Sequence, residues 1–238
     1  MIHIITVVNN HALFDQTIRN NPYMNAFPMH VFDNAAENVG LSKRYNDYIV
    51  NRMPEDAWLV FCHQDFAFEE DIAQKLAVLD RGRIYGPTGT GPTKQFLFIA
   101  SFSRYGVERF RLGFYDRTKK YGRITQKTPK KTQAMGRYIR KPALVDTVDC
   151  CCMIVHTSLI RKHNLRFDES LEWHLYVEDF CLNARARHGV QTMAVQLDCV
   201  HLSAGTPDFG FEKDLVYLKS KYGTGYFSTT CYDGYRRF

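Results

Sequence analysis

The chain has 238 residues, of which 45% are apolar and 24% charged, the balance of a folded protein with one substantial core. No run approaches the about 18 apolar residues that a membrane-spanning helix needs. The N-terminus has no basic start followed by a cleavage site, as a signal peptide would. Fibrous, disordered and membrane-spanning classes are therefore excluded, and we expect a cytoplasmic protein.

The net charge of +6 is distributed unevenly along the chain. Residues 104–141, called here the basic segment, hold thirteen Lys or Arg against Glu108 and Asp116, a net +11, so the remainder carries −5. Such a segment is either a solvated face or a docking surface for an anionic partner, such as a phospholipid surface, a lipid-linked diphosphate or nucleic acid.

Apolar periodicity predicts strands and helices that alternate over the first ninety residues. We predict strands at 2–8, 29–32, 58–62 and 84–85, with helices at 12–18, 41–53 and about 72–79. This order is typical of a doubly wound α/β sheet with right-handed crossovers.

The second half is less regular. Residues 96–141 cannot be assigned from their pattern, whereas we predict strands at 148–156 and 190–200 and helices at 158–163, 176–188 and 211–222. Gly189 is expected to end the helix at 176–188. The seven cysteines show no paired spacing, and alternation along a strand would prevent Cys150–Cys152 from chelating one metal, so we expect reduced, mostly buried thiols.

Polar residues follow three of the predicted strands. Asn9, Asp33 and Asp65 emerge at carboxyl ends, where ligands of α/β sheets gather. Asp65 and His201, both at strand ends, suit a divalent cation, Mg²⁺ or Mn²⁺. A cation bound to a diphosphate would withdraw the negative charge that grows on it as a leaving group.

Two acids, Glu178 and Asp179, lie near the start of the helix predicted at 176–188. They either complement the helix dipole or include a general base that takes a proton from an attacking hydroxyl. Their position alone does not decide between these alternatives.

Together these motifs resemble family 2 glycosyltransferases of the GT-A fold, in particular the bacterial branch with His-Gln-Asp in place of Asp-X-Asp. The resemblance runs from residue 2 to residue 201. It rests on Asn9-Asn10, Asp33-Asn34, the helix at 40–46 with its Tyr45-Asn46 pair, His63-Gln64-Asp65 after its strand, the strand at 148–155, Phe167-Asp168-Glu169, Glu178-Asp179 and His201.

The resemblance implies a single GT-A-type domain with a Rossmann-like, mostly parallel sheet flanked by helices. It divides the chain into a nucleotide-sugar half at 1–100, an acceptor and catalytic half at 101–205, and a C-terminal lid and helix at 206–238. It also implies the site residues. Nucleotide-sugar binding is assigned to Asn9, Asp33, Asn46, His63, Gln64 and Asp65, the metal to Asp65 and His201, and the base of an inverting transfer to Asp179 with Glu178 beside it.

The expected function is transfer of a sugar from a UDP or other NDP donor to a saccharide or lipid-linked acceptor in cell-envelope polysaccharide synthesis. The basic segment would touch the inner face of the membrane, and nucleic acid is not an expected partner. The alternative is a non-catalytic module that binds nucleic acid or anionic lipid through the basic segment. A metal-dependent hydrolase built on His63, Asp65 and His201 is a third possibility.

Overall fold

The computed structural model describes residues 1–103, 106–202, 209–222 and 229–230, and of 92–118 and 209 it describes the backbone only. The strands are β1 (Ile2–Val8), β2 (Met29–Asp33), β3 (Trp58–His63), β4 (Phe66–Phe68), β5 (Ile84–Gly86), β6 (Gly89–Ser103), β7 (Gly106–Tyr121), β8 (Ile124–Lys127), β9 (Thr132–Met135), β10 (Ala143–Val145), β11 (Thr147–Val148), β12 (Cys152–His156), β13 (Thr192–Ala194) and β14 (Cys199–His201). The helices are α1 (His11–Phe14), which continues as a π-helical turn (Asp15–Arg19), α2 (Leu41–Asn51), α3 (Ala73–Ala77), α4 (Thr157–His163), α5 (Tyr176–His188) and α6 (Phe209–Tyr222).

The main sheet has seven strands in the order β10-β13-β5-β12-β3-β1-β2. β1 is parallel to β2 and β3, and β13 is parallel to β5, whereas β12 is antiparallel to β3 and β5, and β10 to β13. Five of these strands therefore run in one direction. This arrangement confirms the predicted mostly parallel α/β sheet.

β3 lies between β1 and β12 and is buried on both faces. Leu59 and Phe61 pack into the core on one face, while Val60 and Cys62 pack into the core on the other, as the two-residue period of a strand requires. Burying one large apolar side chain stabilises the fold by roughly 1.5–3 kcal/mol. The continuous apolar run of β3 is thus explained by its central position.

Two smaller sheets extend this frame: β11-β6-β7 and β4-β14-β8-β9. β6 and β7 form a long antiparallel hairpin, paired from Gly89–Tyr121 to Ser103–Gly106, so most of the unassigned region 96–141 is in fact paired strand. In the other sheet β14 is antiparallel to β4, which places His201 opposite Phe66.

Two predicted strands are wrong in extent. The strand predicted at 148–156 is interrupted at 149–151 by a turn in which the Cys152 amide donates to the Asp149 carbonyl. The strand predicted at 190–200 is two strands, β13 and β14, in different sheets. In both places apolar residues stand on either side of the bend, so hydrophobicity alone could not mark it.

The turn at 149–151 removes the strand alternation on which the argument about the cysteine triplet rested. The predicted state of the thiols is nevertheless confirmed for the described cysteines, all of which are free and all but Cys150 buried. Burial raises the pKa of the Cys151 and Cys152 thiols well above the ordinary value and that of Cys181 to about 12. These thiols are protonated at neutral pH and are poor metal ligands.

The predicted division at residues 100 and 205 stays a prediction. Part of the predicted lid, residues 206–208, 223–228 and 231–238, lies outside the described residues. Among the helices that the structure describes, none is long and apolar enough to cross a membrane.

Asn46 ties α2 to the segment before α5. Its side-chain amide donates to the carbonyl of Phe167 and to the carboxylate of Glu169, both at 2.9 Å, and its oxygen accepts from the Phe167 amide at 2.9 Å. Asn46 is 8% exposed, so removal of its amide would leave buried backbone groups unpaired.

We therefore expect Asn46→Ala to lower the free energy of unfolding by about 1–3 kcal/mol, the cost of orphaned buried polar groups. Asn51→Ala, on the same helix, is the control, because Asn51 is exposed and bonds only the exposed Asp47. Urea unfolding of both variants measures the difference. Equal losses in the two variants would contradict the structural role of Asn46.

Candidate active site

The candidate active site lies at the carboxyl end of β3. His63 is the last residue of that strand, and Asp65 follows two positions later, immediately before β4. β14 pairs with β4, and the Leu202 amide donates to the Asp65 carbonyl at 2.9 Å. This pairing brings His201 beside Asp65, although the two are far apart in the sequence.

Three side chains form a compact cluster there. The Nε2 atom of His201 lies 3.3 Å from Oδ1 of Asp65, and candidate ligand atoms of His63, Asp65 and His201 all lie within 4.8 Å of one another. The side chains of His201 and Asp65 are 12% and 14% exposed. The structure thus brings together the two predicted metal ligands and adds His63 to them.

The charges of the cluster follow from burial and pairing. Burial lowers the pKa of His63, which keeps its imidazole neutral. Burial opposes the ionised forms of Asp65 and His201 as well, but their close contact and mutual attraction outweigh it, so the pKa of Asp65 is lowered and that of His201 raised. Asp65 and His201 are therefore an ion pair in the metal-free protein.

This donor set fits a divalent cation. Two imidazole nitrogens and one carboxylate oxygen suit Mn²⁺ better than Mg²⁺, which prefers oxygen ligands in strict octahedral geometry. Three protein ligands leave coordination positions for phosphate oxygens. A cation would replace the proton that His201 carries in its pair with Asp65, since a coordinating imidazole must be neutral.

A tyrosine on α5 orients His63. The Tyr176 hydroxyl lies 2.8 Å from Nε2 of His63, and both residues are buried or nearly so. Outer contacts of this kind fix the ring orientation of a ligating histidine. Tyr176 also places the first turn of α5 against the cluster.

Asp149 is a site residue that the sequence analysis missed. It occupies the turn between β11 and β12, and its carboxylate accepts from the Cys151 amide at 2.9 Å. Burial raises its pKa, but the positive charge of His201 and its hydrogen bonds outweigh this and lower it. The same carboxylate favours the protonated forms of His63 and His201. An acid directly before the apolar run CCCMIV was the available signal.

The predicted donor-side residues have different surroundings. Gln64 accepts from the amides of Asn9 and Asn10 at 3.0 and 2.9 Å and donates to the Asn9 side chain at 2.5 Å, so it clamps the end of β1 to the end of β3. Asp33, at the end of β2, is 65% exposed. The pKa of Asp33 is lowered, mainly by the hydrogen bond from the Ala35 amide and further by His11, which keeps the carboxylate ionised.

Asn46 is the last residue that was predicted to bind the donor. Its side chain is already hydrogen-bonded to residues 167 and 169, as described above. A contact with the donor stays a prediction for Asn46, as it does for Asn9, Asp33, His63, Gln64 and Asp65.

The two acids of α5 lie in its first turn and are almost completely buried. Glu178 accepts from the Thr229 hydroxyl at 2.9 Å. Asp179, 1% exposed, accepts through Oδ1 from Lys221 at 2.8 Å and from the Tyr222 hydroxyl at 2.7 Å. Leu175, just before the helix, has φ 58°, an uncommon conformation of the kind that clusters at functional sites.

Asp179 has the chemistry of a base as well as of a helix-dipole partner. Burial raises its pKa, while Lys221 and Tyr222 oppose the rise without cancelling it. A carboxylate of raised pKa that remains ionised is a better proton acceptor than an exposed one. Asp179 stands three residues after Tyr176, on the same side of α5 as the contact with His63.

Most basic side chains that the structure describes in the basic segment are exposed. These exposed cations are Lys119, Arg123, Lys127, Lys130, Lys131, Arg137, Arg140 and Lys141. β8 belongs to the basic segment and pairs with β14, which carries His201, so the basic segment adjoins the sheet that supplies the candidate site.

Comparisons with known proteins address the fold. No protein-family model and no curated protein matches the chain. Residues 1–349 of S. aureus TarS, a glycosyltransferase, in complex with UDP, align over 85% of this chain and 60% of their own, with 11% identity and a TM-score of 0.50. Another structure of the same fragment aligns over 84% and 60%, with 11% identity and a TM-score of 0.49.

HddC from Yersinia pseudotuberculosis aligns over 93% of this chain and 78% of its own, with 9% identity and a TM-score of 0.30. The chain spans about 60% of the TarS fragments it matches. The likeness to the TarS complex confirms the predicted GT-A-like α/β fold. Membership of family 2 and the role of the His-Gln-Asp motif stay predictions.

An ion-pair network anchors α6 and makes stability pH-dependent. Burial raises the pKa of Asp168, but its contacts with Lys221, the Ser170 amide and Tyr217 lower it from 3.8 to about 2. The ionised Asp168 therefore stabilises the fold fully at a pH above the pKa that this carboxyl has in the unfolded chain. This contribution to stability is lost as the pH falls through about 2, the pKa in the folded protein.

We expect Asp168→Asn to lower the free energy of unfolding at neutral pH, and the difference from wild type to shrink as the pH is lowered from 4 toward about 2, because the wild-type carboxylate then protonates. Urea unfolding at several pH values measures this. Asp47→Asn, on α2, where the side chain is 42% exposed, is the control. A difference that stays constant across this range would contradict the assignment.

Proposed function

We propose that the protein is a nucleotide-sugar-dependent glycosyltransferase. The observation that carries the proposal is the His63, Asp65 and His201 cluster at the carboxyl end of the central strand of a GT-A-like sheet. In an α/β sheet this edge is where nucleotides bind. UDP is bound in the TarS structure that the fold resembles, which favours a UDP or other NDP sugar as donor.

Each residue has a role in this proposal. Asp33, exposed and ionised, hydrogen-bonds the ribose or base of the nucleotide. His63, Asp65 and His201 would hold Mn²⁺, and a cation there would supply neutralisation of the charge that develops on the leaving diphosphate. Tyr176 keeps the His63 ring in a fixed orientation.

Asp179 takes the proton from the acceptor hydroxyl as that oxygen attacks the anomeric carbon and the bond to the diphosphate breaks. A single displacement of this kind inverts the configuration at the anomeric carbon. Glu178, buried beside it, holds the segment at Thr229 against the site. Burial excludes water from Asp179, which limits hydrolysis of the donor.

We assign the acceptor to the class of saccharides and lipid-linked saccharides of cell-envelope polysaccharide synthesis. The exposed cations between residues 119 and 141 support contact with an anionic membrane surface, and with it a cytoplasmic location at the inner face of the membrane. Nucleic acid is not part of the proposal.

A hydrolase that uses the same cluster is the competing enzyme. It would cleave the nucleotide sugar with water at the same rate whether or not a saccharide is present, whereas a transferase consumes donor faster when its acceptor is added. A binding module would consume none. Product analysis with a panel of NDP sugars and saccharides separates the three.

Substitution of either key carboxylate should remove transfer. Asp65→Asn leaves the cation without its carboxylate, and Asp179→Asn leaves the acceptor hydroxyl without a base, so we expect a loss of at least about 100-fold in kcat/KM, the low end for general-base catalysis. Asp47→Asn is the matched control on the surface. Full activity in either site variant, with circular dichroism unchanged, would refute the mechanism.

Metal binding can be measured without turnover. We expect Mn²⁺ bound to the wild-type protein to be detected by loss of the free-ion electron paramagnetic resonance signal, and His201→Gln to weaken this binding because a ligand is lost. UDP should raise the melting temperature more with Mn²⁺ than without it. His163→Gln, at a histidine remote in sequence and outside the cluster, is the control. Equal Mn²⁺ binding in both variants would remove His201 from the site.

A further inference from the structure

The end of α6 packs on the proposed base. The Lys221 ammonium bridges two carboxylates, at 2.6 Å from Oδ2 of Asp168 and 2.8 Å from Oδ1 of Asp179. The Tyr222 hydroxyl donates to the same Oδ1 atom at 2.7 Å. Both contacts therefore engage one oxygen of the Asp179 carboxylate.

The other oxygen of Asp179 is in a different state. Oδ2 is buried, and no group in the described part of the chain hydrogen-bonds it. A buried carboxylate oxygen without a partner is costly, and such atoms call for a ligand or a catalytic role. Oδ1 is thus occupied by two donors, whereas Oδ2 is left without a hydrogen bond from the described residues.

We propose that Lys221 is a positioning residue for transfer, which holds Oδ1 of Asp179 so that Oδ2 faces the acceptor and which keeps the carboxylate ionised at neutral pH. This inference rests on the proposed function of Asp179 as the base. Lys221 itself touches neither substrate nor metal ligand in this scheme.

A second carboxylate holds Lys221 in place. Asp168 accepts from Lys221 and, at 2.8 Å, from the Tyr217 hydroxyl through Oδ2, while its Oδ1 accepts from the Ser170 amide at 3.0 Å. The side chain of Lys221 is 23% exposed. The chain Asp168, Lys221, Asp179 thus fixes a flexible ammonium at a single position, which a solvated surface pair would not do.

The charges around Asp179 agree with this role. Burial raises the pKa of Asp179, Lys221 and Tyr222 lower it, and the charge of Asp168 raises it. The pKa of Lys221 is itself raised, because its two carboxylates outweigh its burial, so it stays protonated at neutral pH. Glu178 is the neighbouring acid on α5. Without the ammonium, these surroundings would protonate Asp179 at a higher pH and remove the base.

The test uses the full chain with Lys221→Met, which removes the charge, and Lys213→Met, an exposed lysine of the same helix, as the control. The first readout is carboxyl ¹³C titration, in which the Asp179 signal is identified by its absence in Asp179→Asn. We expect the Asp179 titration to move up by about one pH unit or more in Lys221→Met, the size of effect of a close opposite charge, and not in Lys213→Met.

The second readout is the pH profile of kcat/KM for transfer. We expect its acid limb to move up by the same amount in Lys221→Met, so that activity is lost at neutral pH and partly recovered at higher pH, a recovery that mere structural damage would not give. If Lys221→Met does not fold, as judged by circular dichroism, Lys221→Gln replaces it with the same expectation. An unchanged titration and an unchanged acid limb in the folded variant would overturn the inference.

The two proposals fail in different ways. Transfer that survives in Asp179→Asn refutes the proposed base, and with it the catalytic meaning of Lys221. Transfer that is lost in Asp179→Asn, with titration and acid limb unmoved in the Lys221 variant, refutes only the positioning role.

Discussion

The burial of β3 on both faces is the constraint on which the rest of the structure depends. β3 pairs with β1 and β12 along its two edges and packs into a core cluster on each face, so it must be apolar until it leaves the sheet. Polar chemistry can begin only where the strand ends, at His63. The candidate site lies at that boundary because a charged group any earlier in β3 would be desolvated without a partner.

The site is completed by elements that do not belong to the main sheet. β14 carries His201 to Asp65 through its pairing with β4, and the first turn of α5 brings Tyr176 to His63. The end of α6 then contacts Asp179 of α5 through Lys221 and Tyr222. Each contribution comes from a different part of the chain, so the geometry of the site depends on the packing of the whole domain.

The distribution of charge agrees with the proposed use of a divalent cation. The buried carboxylates near the cluster would repel a diphosphate unless a divalent ion neutralised it. The positive charge of the chain lies elsewhere, on the exposed surface between residues 119 and 141, where it would attract a larger anionic partner. The acids at the candidate site and the exposed cations of the basic segment thus lie in different regions of the molecule.

The strands β1, β2 and β3 and the cap at Gly189 could be predicted from the sequence, because they are local patterns of hydrophobicity and backbone preference. The sequence also indicated that Asp65 and His201 belong to a site, since both follow apolar strands. The placement of β14 outside the main sheet, the turn at Asp149 and the contact of Lys221 with Asp179 were known only from the folded structure. Those facts depend on pairing between residues distant in sequence, which no local pattern records.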